Sequence, residues 1–306
     1  MFKVFIDGSA GTMGLRIRER LEGREDVQLT VLPEALRKDV SARRDALNGA
    51  DAAFLCLPDA AAVEAVALVE NPHTAVIDTS TAHRTAEGWV YGMAELRGQR
   101  ERIAASRRIA NPGCHASGFI ALVAPLVRAG LLSSDARLGC FSLTGYSGGG
   151  KKMIAEYEAP DRSPLLGAPR QYGLGQRHKH LKEMAAVCGL SHLPGFSPIV
   201  ADFYSGMEVS VQLFDADLEA IRAVYRETYR GPVIRYAEQP DEAGFLSAAA
   251  MSGRDDMEIS ALGCDERVLL TARFDNLGKG ASGAAIQNLN ILMGVEETAG
   301  LNCKGE

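Results

Sequence analysis

Cys114 is the residue of this sequence best placed for covalent chemistry. It follows an Asn-Pro-Gly turn and begins an apolar run that reads as a helix to about Val127, with Pro125 expected to kink or shorten the last turn. The positive end of a helix dipole favours a thiolate, so this position predicts a nucleophile. The alternative is a buried packing thiol, the common role of an isolated cysteine.

The other five cysteines are scattered, with no Cys-x-x-Cys pair and no Cys/His cluster at metal-ligand spacing. This pattern predicts reduced thiols in the cytoplasm, and it argues against a disulfide framework, structural zinc or another metal site. These residues are Cys56, Cys140, Cys188, Cys264 and Cys303.

A thiolate nucleophile needs a partner for proton transfer, and GQRHKHLKEM holds the densest group of histidines. The two-residue spacing of His178 and His180 predicts imidazoles on one side of an extended segment. The flanking Arg177, Lys179 and Lys182 disfavour a protonated imidazole and would attract an anionic substrate. A solvent-exposed basic loop explains the same motif equally well.

A glycine-rich turn lies near the start of the chain, in FIDGSAGTMGLRI, between a predicted strand and a predicted helix. Glycines let the backbone approach a phosphate and the helix N-terminus offers free N–H groups, so we expect a dinucleotide site. A plain tight turn is the alternative. The expected cofactor contacts are Gly8, Ser9, Gly11, Thr12, Met13 and Gly14.

The segment TVLPEALRKD, after the second strand, bears on which dinucleotide binds. Glu34 would suit the ribose of NAD, whereas Arg37 and Lys38 would suit the 2′-phosphate of NADP. The basic pair favours NADP, although solvated charges on a surface loop explain all three residues equally well.

Two further motifs suit an anionic substrate. IDTSTAHR follows the fourth predicted strand, at the edge where open parallel sheets bind ligands, so Ser80 and Arg84 are candidate substrate contacts. GYSGGGKKM places Lys151 and Lys152 behind glycines, as an anion-binding loop would. Loop capping and a glycine-rich hinge are the respective alternatives.

Elements of two kinds must position these groups. The first hundred residues alternate short apolar strands with helices, which predicts an α/β domain with a Rossmann-type doubly wound parallel sheet. After Gly130, alternating segments joined by Gly- and Pro-rich loops predict an α+β domain with a mostly antiparallel sheet, and residues 280–300 return to a helical pattern. The predicted strands are Phe2–Ile6, Val27–Leu32, Ala52–Cys56, Ala75–Ile77, Arg137–Leu143, Met207–Leu213, Val233–Tyr236 and Val268–Phe274, and the first helices are Thr12–Leu21 and Ala60–Val69.

Composition restricts the class of partner. The chain has 306 residues, enough for two domains, and its net charge of -6 gives no support for binding nucleic acid or an anionic membrane. No apolar run reaches the roughly 18 residues of a membrane span. The N-terminal MFKVFIDGSAG enters a strand directly, so we expect no signal peptide and a cytoplasmic protein.

Together these stretches resemble the N-acetyl-γ-glutamyl-phosphate reductase family, which is similar in architecture to aspartate-semialdehyde dehydrogenase. The resemblance covers nearly the whole chain and is carried by GSAGTMG, DTSTAHR, NPGCHASG, GYSGGGKK, RHKHLKEM and DNLGKGASGAAIQNLN. An NPGC cysteine with a downstream His-x-His is specific to the reductase. The compact length and FYSGMEV resemble the shorter of the family's two forms.

The resemblance implies NADPH-dependent reduction of N-acetyl-γ-glutamyl phosphate to N-acetylglutamate 5-semialdehyde, through a thioester on Cys114, in arginine biosynthesis. It implies that His178 or His180 is the acid/base, without deciding between them. The family often continues that motif with Pro-Glu, where this chain has Lys182-Glu183. It further implies a homodimer or homotetramer. Additional implied contacts are Asn111 and Ser147 for the substrate and Gly283 for the cofactor.

The resemblance also implies a division into two domains. Residues 1–113 and 283–306 would bind the dinucleotide, and residues 114–282 would carry catalysis and oligomerisation. Two rival functions stay open. One is a related semialdehyde dehydrogenase that acts on aspartyl or carrier-linked aminoadipyl phosphate. The other is a non-catalytic NADP-binding sensor, for which a thiolate at a helix N-terminus has no use.

Overall fold

Two sheets organise the chain, each in a unit of its own, in a computed structural model that describes residues 1–303. The first unit comprises Met1–Ala94, Gly98–Pro112 and Ala281–Leu301. The second comprises Glu95–Arg97, Gly113–Gly280 and the described residues from Asn302 onward. The segment 283–306, predicted to join the nucleotide-binding domain, ends in residues 304–306, which lie outside the described residues.

The first unit is a parallel sheet with helices on both faces. Its strands lie in the order β2-β1-β3-β4-β6-β5 and every neighbouring pair is parallel, which confirms the predicted Rossmann-type sheet. The strands are β1 (Phe2–Asp7), β2 (Val27–Thr30), β3 (Ala52–Leu55), β4 (Ala75–Asp78), β5 (Val90–Tyr91) and β6 (Arg108–Ala110). The helices are α1 (Thr12–Leu21), α2 (Val40–Gly49), α3 (Asp59–Ala67), α4 (Gln99–Ala105) and α9 (Gly283–Met293).

Alternation along the strands explains both apolar layers. Val4 and Ile6 of β1 pack in one layer with α1, α4 and α9, whereas Phe5 packs in the opposite layer with α2 and α3. A strand with side chains buried on both faces is apolar throughout, which is why the short apolar runs were recognisable in the sequence.

Helix α2, like α4, β5 and β6, was not predicted from the sequence. Its sequence, VSARRDALNG, buries only Leu47 among its residues, so it carries a weak apolar pattern. Its N-terminus is nevertheless defined, since the Asp39 carboxylate accepts a hydrogen bond of 2.7 Å from Ala42 N–H. This helix brings Arg43 back to the end of β1.

The second unit is a mixed seven-stranded sheet in the order β11-β12-β13-β10-β7-β9-β8. The β7–β9 and β11–β12 pairs are parallel and the other four pairs are antiparallel. This confirms the predicted, mostly antiparallel sheet. The strands are β7 (Gly139–Gly145), β8 (Arg170–Gln171), β9 (Gly195–Ala201), β10 (Met207–Phe214), β11 (Ile234–Tyr236), β12 (Met257–Cys264) and β13 (Arg267–Phe274). The helices are α5 (Cys114–Arg128), α6 (Gly150–Glu158), α7 (Leu181–Cys188) and α8 (Leu218–Thr228).

Helix α5 is the centre of this second unit, where it packs against β10, β13, α7 and α8. A Cβ atom on Gly118 would lie 2.5 Å from Val209 Cγ2, so glycine is what allows α5 to approach β10 so closely. Two phenols at the C-terminal end of α8 fix the other side of α5: Tyr225, in the helix, donates to Leu122 O at 2.6 Å, and Tyr229, just after it, to Ala121 O at 2.5 Å. The helix continues past Pro125 to Arg128, so the proline does not shorten it.

Candidate active site

Cys114 is the first residue of α5, which confirms the predicted helix start. Gly113, the preceding residue, has extended backbone angles, and Ser117 N–H donates to Gly113 O at 2.8 Å to close the first helical turn. The N–H groups of residues 114–116 precede that bond and point out of the helix end, where they favour negative charge. Because α5 is buried along nearly its whole length, the thiol is held on a rigid element.

The surroundings of four of the other thiols disfavour their ionisation. Burial raises the pKa of Cys56 to about 12 and that of Cys303 to about 11, with nearby aspartates adding to both shifts. Burial also raises the pKa of Cys140 and of Cys188. Only thiolates are good nucleophiles, so the setting of Cys114 distinguishes it from these four cysteines.

His178 and His180 lie together, but their segment is a turn, so the prediction of an extended segment is wrong. His180 stands at the N-terminus of α7 with helical backbone angles, and its N–H donates to His178 Nδ1 at 3.2 Å. The ring centroids are 4.7 Å apart and nearly perpendicular. His180 is buried and His178 is half-buried. The segment turns because the hydrogen bond from His180 N–H to His178 Nδ1, at the start of α7, is favoured over an extended backbone.

Glu183 connects the histidine turn to the cysteine turn. It is buried on α7, its Oε2 accepts from Gly113 N–H at 3.1 Å, and its Oε1 lies 4.0 Å from His180 Nε2. One carboxylate therefore contacts both the residue before Cys114 and an acid/base candidate. Sequence reasoning did not identify it as a site residue, although its place three residues after His180, on the same helical face, was a usable signal.

Tyr172 and His115 complete the surroundings of Cys114, and neither was predicted. His115 is buried, and its Nε2 lies 2.7 Å from Tyr172 Oη. Burial, and then the charge on Cys114, raises the pKa of Tyr172, so its hydroxyl stays protonated. Gly280 fits closely on another side, because a Cβ there would lie 3.0 Å from Cys114 Cβ.

The glycine turn of the first unit borders a cavity of about 430 Å³. Gly8 has a φ of +85°, and a Cβ there would lie 2.3 Å from Cys56 O, so only glycine fits the turn. The cavity lies outside the carboxyl ends of β1 and β3, where the strand order reverses and dinucleotides bind in such sheets. Its lining includes Gly8, Ser9, Gly11, Arg37, Lys38 and Arg43.

The other expected cofactor contacts lie outside that lining. Thr12, Met13 and Gly14 form the first turn of α1, and a Cβ on Gly14 would lie 2.5 Å from Gly8 O. Gly14 therefore lets the helix pack against the turn. Gly283 is the buried first residue of α9. Glu34 forms an ion pair of 2.5 Å with Arg37 and is absent from the lining among the described residues.

The expected substrate contacts in the first unit have partners within that unit. Ser80 donates to the buried Asp78 carboxylate at 2.6 Å. Asn111 is buried and donates to Ala281 O at 3.0 Å. Arg84 donates through Nε to Asn111 O at 3.0 Å, so it lies next to Asn111. These bonds fix the loop that follows β4, and contact with substrate stays a prediction for all three residues.

The GYSGGGKKM segment is helical where an open loop was expected. Tyr146–Gly149 form a 3₁₀ turn that leads into α6, whose first turn carries Lys151 on the surface. Ser147 is buried and accepts from Asn276 Nδ2 at 2.9 Å. Glycine-rich sequences adopt helical turns when such tertiary contacts hold them, which local propensity does not reveal. The substrate roles of Ser147 and Lys151 stay predictions.

No three His, Cys, Asp or Glu side chains within residues 1–303 are grouped so that they could hold a metal ion. Over the same residues, every helix is too short or too polar to cross a membrane.

Comparison with known families agrees with this architecture. Residues 30–106 match the semialdehyde dehydrogenase NAD binding domain, and residues 114–276 match the semialdehyde dehydrogenase dimerisation domain. The fold resembles that of aspartate semialdehyde dehydrogenase II from Vibrio cholerae, with a TM-score of 0.73, 16% identity, and coverage of 96% of this chain and 98% of that one. The enzyme from Francisella tularensis gives a TM-score of 0.72 at 16% identity, covering 96% and 100%. At such identity the likeness concerns the fold.

Sequence similarity is closer to another group of enzymes. The chain is 45% identical over 311 residues to N-acetyl-gamma-glutamyl-phosphate reductase 2 of Pseudomonas putida, covering 97% of this chain and 98% of that protein. It is 46% identical over 306 residues to the N-acetyl-gamma-glutamyl-phosphate reductase of Brucella ovis, covering 95% and 99%. The chain belongs to the N-acetyl-γ-glutamyl-phosphate reductase family and binds a nicotinamide cofactor.

Proposed function

We propose that this chain reduces N-acetyl-γ-glutamyl phosphate to N-acetylglutamate 5-semialdehyde and phosphate with NADPH, as a step of arginine biosynthesis in the cytoplasm. The observation that carries the proposal is Cys114 at the N-terminus of α5, with Glu183 spanning from Gly113 to His180. Identity of 45% over nearly the full chain to an enzyme of that name supports the choice of substrate.

The first step is an acyl transfer to Cys114. The thiolate attacks the γ-carbonyl carbon, a C–S bond forms, the C–O bond to phosphate breaks, and phosphate leaves. Backbone N–H groups of the first turn of α5 stabilise the oxyanion, a contribution of about 3 kcal/mol per donor in acyl transfer. The product of this step is a thioester on Cys114.

The nicotinamide cofactor, when bound, supplies the hydride that reduces the thioester carbon. His178 or His180 then moves the proton that lets the resulting thiohemiacetal release the aldehyde and restore the thiolate. We favour His180, because Glu183 lies 4.0 Å from its Nε2 and would stabilise the imidazolium as it forms.

The cofactor proposal rests on the cavity of the first unit. Its glycine turn suits the diphosphate, and Arg37 and Lys38 suit a 2′-phosphate, so we propose NADP over NAD. Replacing both by alanine should raise KM for NADPH at least tenfold and leave KM for NADH within about twofold, because a phosphate contact is lost only in NADPH. Equal effects on both cofactors would contradict the assignment.

The substrate is tested by running the reaction in reverse. Purified protein is supplied with NADP, phosphate and N-acetylglutamate 5-semialdehyde, and NADPH formation is followed by absorbance. We expect phosphate-dependent turnover that is lost in Cys114→Ala. Turnover with aspartate semialdehyde or a carrier-linked aminoadipate semialdehyde instead would keep the cysteine chemistry and change the substrate.

A non-catalytic NADP sensor is the second candidate. It would need no reactive thiol, so alkylation of Cys114 by iodoacetamide separates the two. Rapid modification of Cys114 at pH 7, compared with the buried Cys140 and Cys188, is the result expected of the enzyme. Equal resistance of all three would favour the sensor.

We also propose that the chain works as a homodimer or homotetramer, as the matched dimerisation domain suggests. The second unit offers a surface for this. Helices cover one face of its sheet, and on the other face Phe141 of β7 is 52% exposed. An apolar side chain in the middle of an open sheet face is typical of a subunit interface.

A further inference from the structure

A chain of hydrogen bonds passes through His115, the residue that follows Cys114, and the mechanism above does not use it. His115 is 3% exposed, and both of its ring nitrogens have partners. Nδ1 lies 2.6 Å from Ser142 Oγ, and Nε2 lies 2.7 Å from Tyr172 Oη. Ser142 is completely buried on β7, whereas Tyr172 is half-buried. The chain therefore runs from Ser142 in the core of the sheet, through His115, to Tyr172, which feels the charge on Cys114.

The imidazole of His115 is neutral over the working pH range. Burial, together with the nearby charges of His178 and Lys179, lowers its pKa to about 3. A neutral imidazole has one N–H, which allows two arrangements of the chain. Either Nδ1 donates to Ser142 and Tyr172 donates to Nε2, or Ser142 donates to Nδ1 and Nε2 donates to Tyr172 Oη.

The two arrangements differ in what the Tyr172 proton can do. In the first, that proton is used inside the chain. In the second, Tyr172 Oη accepts from His115 and its own proton is available to another acceptor. The neighbouring Cys114 carries such an acceptor, as a thiolate sulfur or as the oxygen of a group bound to it, and hydrogen bonds to charged acceptors are stronger than those to neutral ones.

We propose that His115 is a positioning residue that acts on the reaction through Tyr172. It donates Nε2–H to Tyr172 Oη, and so directs the Tyr172 hydroxyl proton toward the sulfur or oxygen at Cys114. No bond is made or broken in this role. It rests on the proposed function only in requiring Cys114 to be the reactive thiol, and not on the identity of the substrate.

The test uses amide side chains that imitate one ring nitrogen each. In His115→Gln the amide nitrogen reaches about where Nε2 lies and keeps a donor for Tyr172. In His115→Asn the shorter amide can replace only Nδ1, so the donor to Tyr172 is lost. Tyr172→Phe removes the hydroxyl itself. His192→Asn is the matched control, since His192 is exposed and pairs with Asp135.

The readout is the rate of Cys114 alkylation by iodoacetamide between pH 5 and 10, followed by mass spectrometry of the Cys114 peptide. Loss of a hydrogen bond to the thiolate should move the alkylation midpoint of Tyr172→Phe and His115→Asn to higher pH by about one unit. His115→Gln and His192→Asn should keep the wild-type midpoint. Because the two losses concern one hydrogen bond, the double variant His115→Asn/Tyr172→Phe should move no further than either single variant.

An unchanged midpoint in Tyr172→Phe would overturn the proposal, as would an equal shift in His115→Gln and His115→Asn. If His115→Asn does not fold, the Tyr172→Phe and His115→Gln results still decide. Alkylation needs no substrate, so an enzyme that fails to turn over the glutamyl aldehyde does not affect this test. The proposal and the proposed function therefore fail separately.

Discussion

At the scale of single residues, the site depends on contacts between distant parts of the chain. The structural setting of Cys114 could be predicted because it is local: a turn, a helix start and a thiol are adjacent in the sequence. The contacts of Glu183 with Gly113, across 70 residues, and of Tyr172 with His115, across 57, could not be predicted. Such contacts depend on how distant segments pack, and the only sequence signal for either residue was the place of Glu183 three residues after His180.

Glu183→Gln tests the charge of the carboxylate that joins the two turns. Glutamine keeps an acceptor for Gly113 N–H but loses the negative charge beside His180, so an imidazolium would form less readily. We expect kcat to fall about tenfold with KM nearly unchanged, as a transition-state interaction requires. Steady-state kinetics check this, with Glu227→Gln on the exposed face of α8 as control. An unchanged kcat would remove Glu183 from the mechanism.

Burial of a neutral His115 should make stability depend on pH. Between its unfolded pKa of 6.5 and its folded value of about 3, the unfolded chain binds a proton that the folded chain does not. The contribution of His115 to the free energy of unfolding is therefore fully present above pH 6.5. It decreases as the pH falls below that value, by at most about 1.4 kcal/mol per pH unit. Denaturant unfolding at pH 7, 6 and 5 should show a steeper loss for wild type than for His115→Gln. Parallel curves would mean that His115 is protonated in the folded protein.

At the scale of elements, prediction succeeded where the pattern was strong. Helix α1 has the predicted bounds, and the apolar strands β1, β3 and β4 differ from theirs by a residue or so at the ends. Strand β9 was not predicted, since its sequence GFSPIVA contains Pro198, which usually argues against a strand. Strand β12 (MEISALGC) and helix α2 were not predicted either. Pairing with β13 stabilises β12, and packing of Leu47 in the apolar layer of the first sheet stabilises α2.

The close contact between α5 and β10 gives a prediction about this element. Gly118→Ala would place a Cβ 2.5 Å from Val209 Cγ2, so the helix must shift and the free energy of unfolding should fall by about 1–3 kcal/mol. Gly49→Ala, at the end of α2, is the matched control, because no atom lies within 4 Å of its Cβ position. Chemical denaturation measures both. Equal stability of the two variants would show that α5 does not need the glycine.

At the scale of the whole molecule, the two fold classes could be predicted because periodicity changes along the chain, from buried parallel strands to alternating ones. The order of the strands could not, since it depends on which segments pair. The open face of the second sheet also required the structure. Phe141 lies in the predicted strand Arg137–Leu143, and the structure shows that its side chain is more than half exposed.

Phe141→Glu tests that face as the subunit interface. A carboxylate buried there without a partner would be unfavourable, so we expect the oligomer to dissociate at micromolar concentrations. Analytical ultracentrifugation should show a smaller species than wild type. Val63→Glu is the control, since Val63 is 53% exposed on α3 in the first unit. A wild-type sedimentation coefficient for Phe141→Glu would place the interface elsewhere.

Whether Cys114 forms a thioester can be tested by omitting phosphate from the reverse reaction. Enzyme mixed with N-acetylglutamate 5-semialdehyde and NADP without phosphate can form the thioester but cannot release it as acyl phosphate. We predict a burst of NADPH stoichiometric with active sites, then turnover when phosphate is added, and no burst in Cys114→Ala. The thioester mechanism would be contradicted by a burst in Cys114→Ala. It would also be contradicted if the wild-type protein formed no NADPH until phosphate was added.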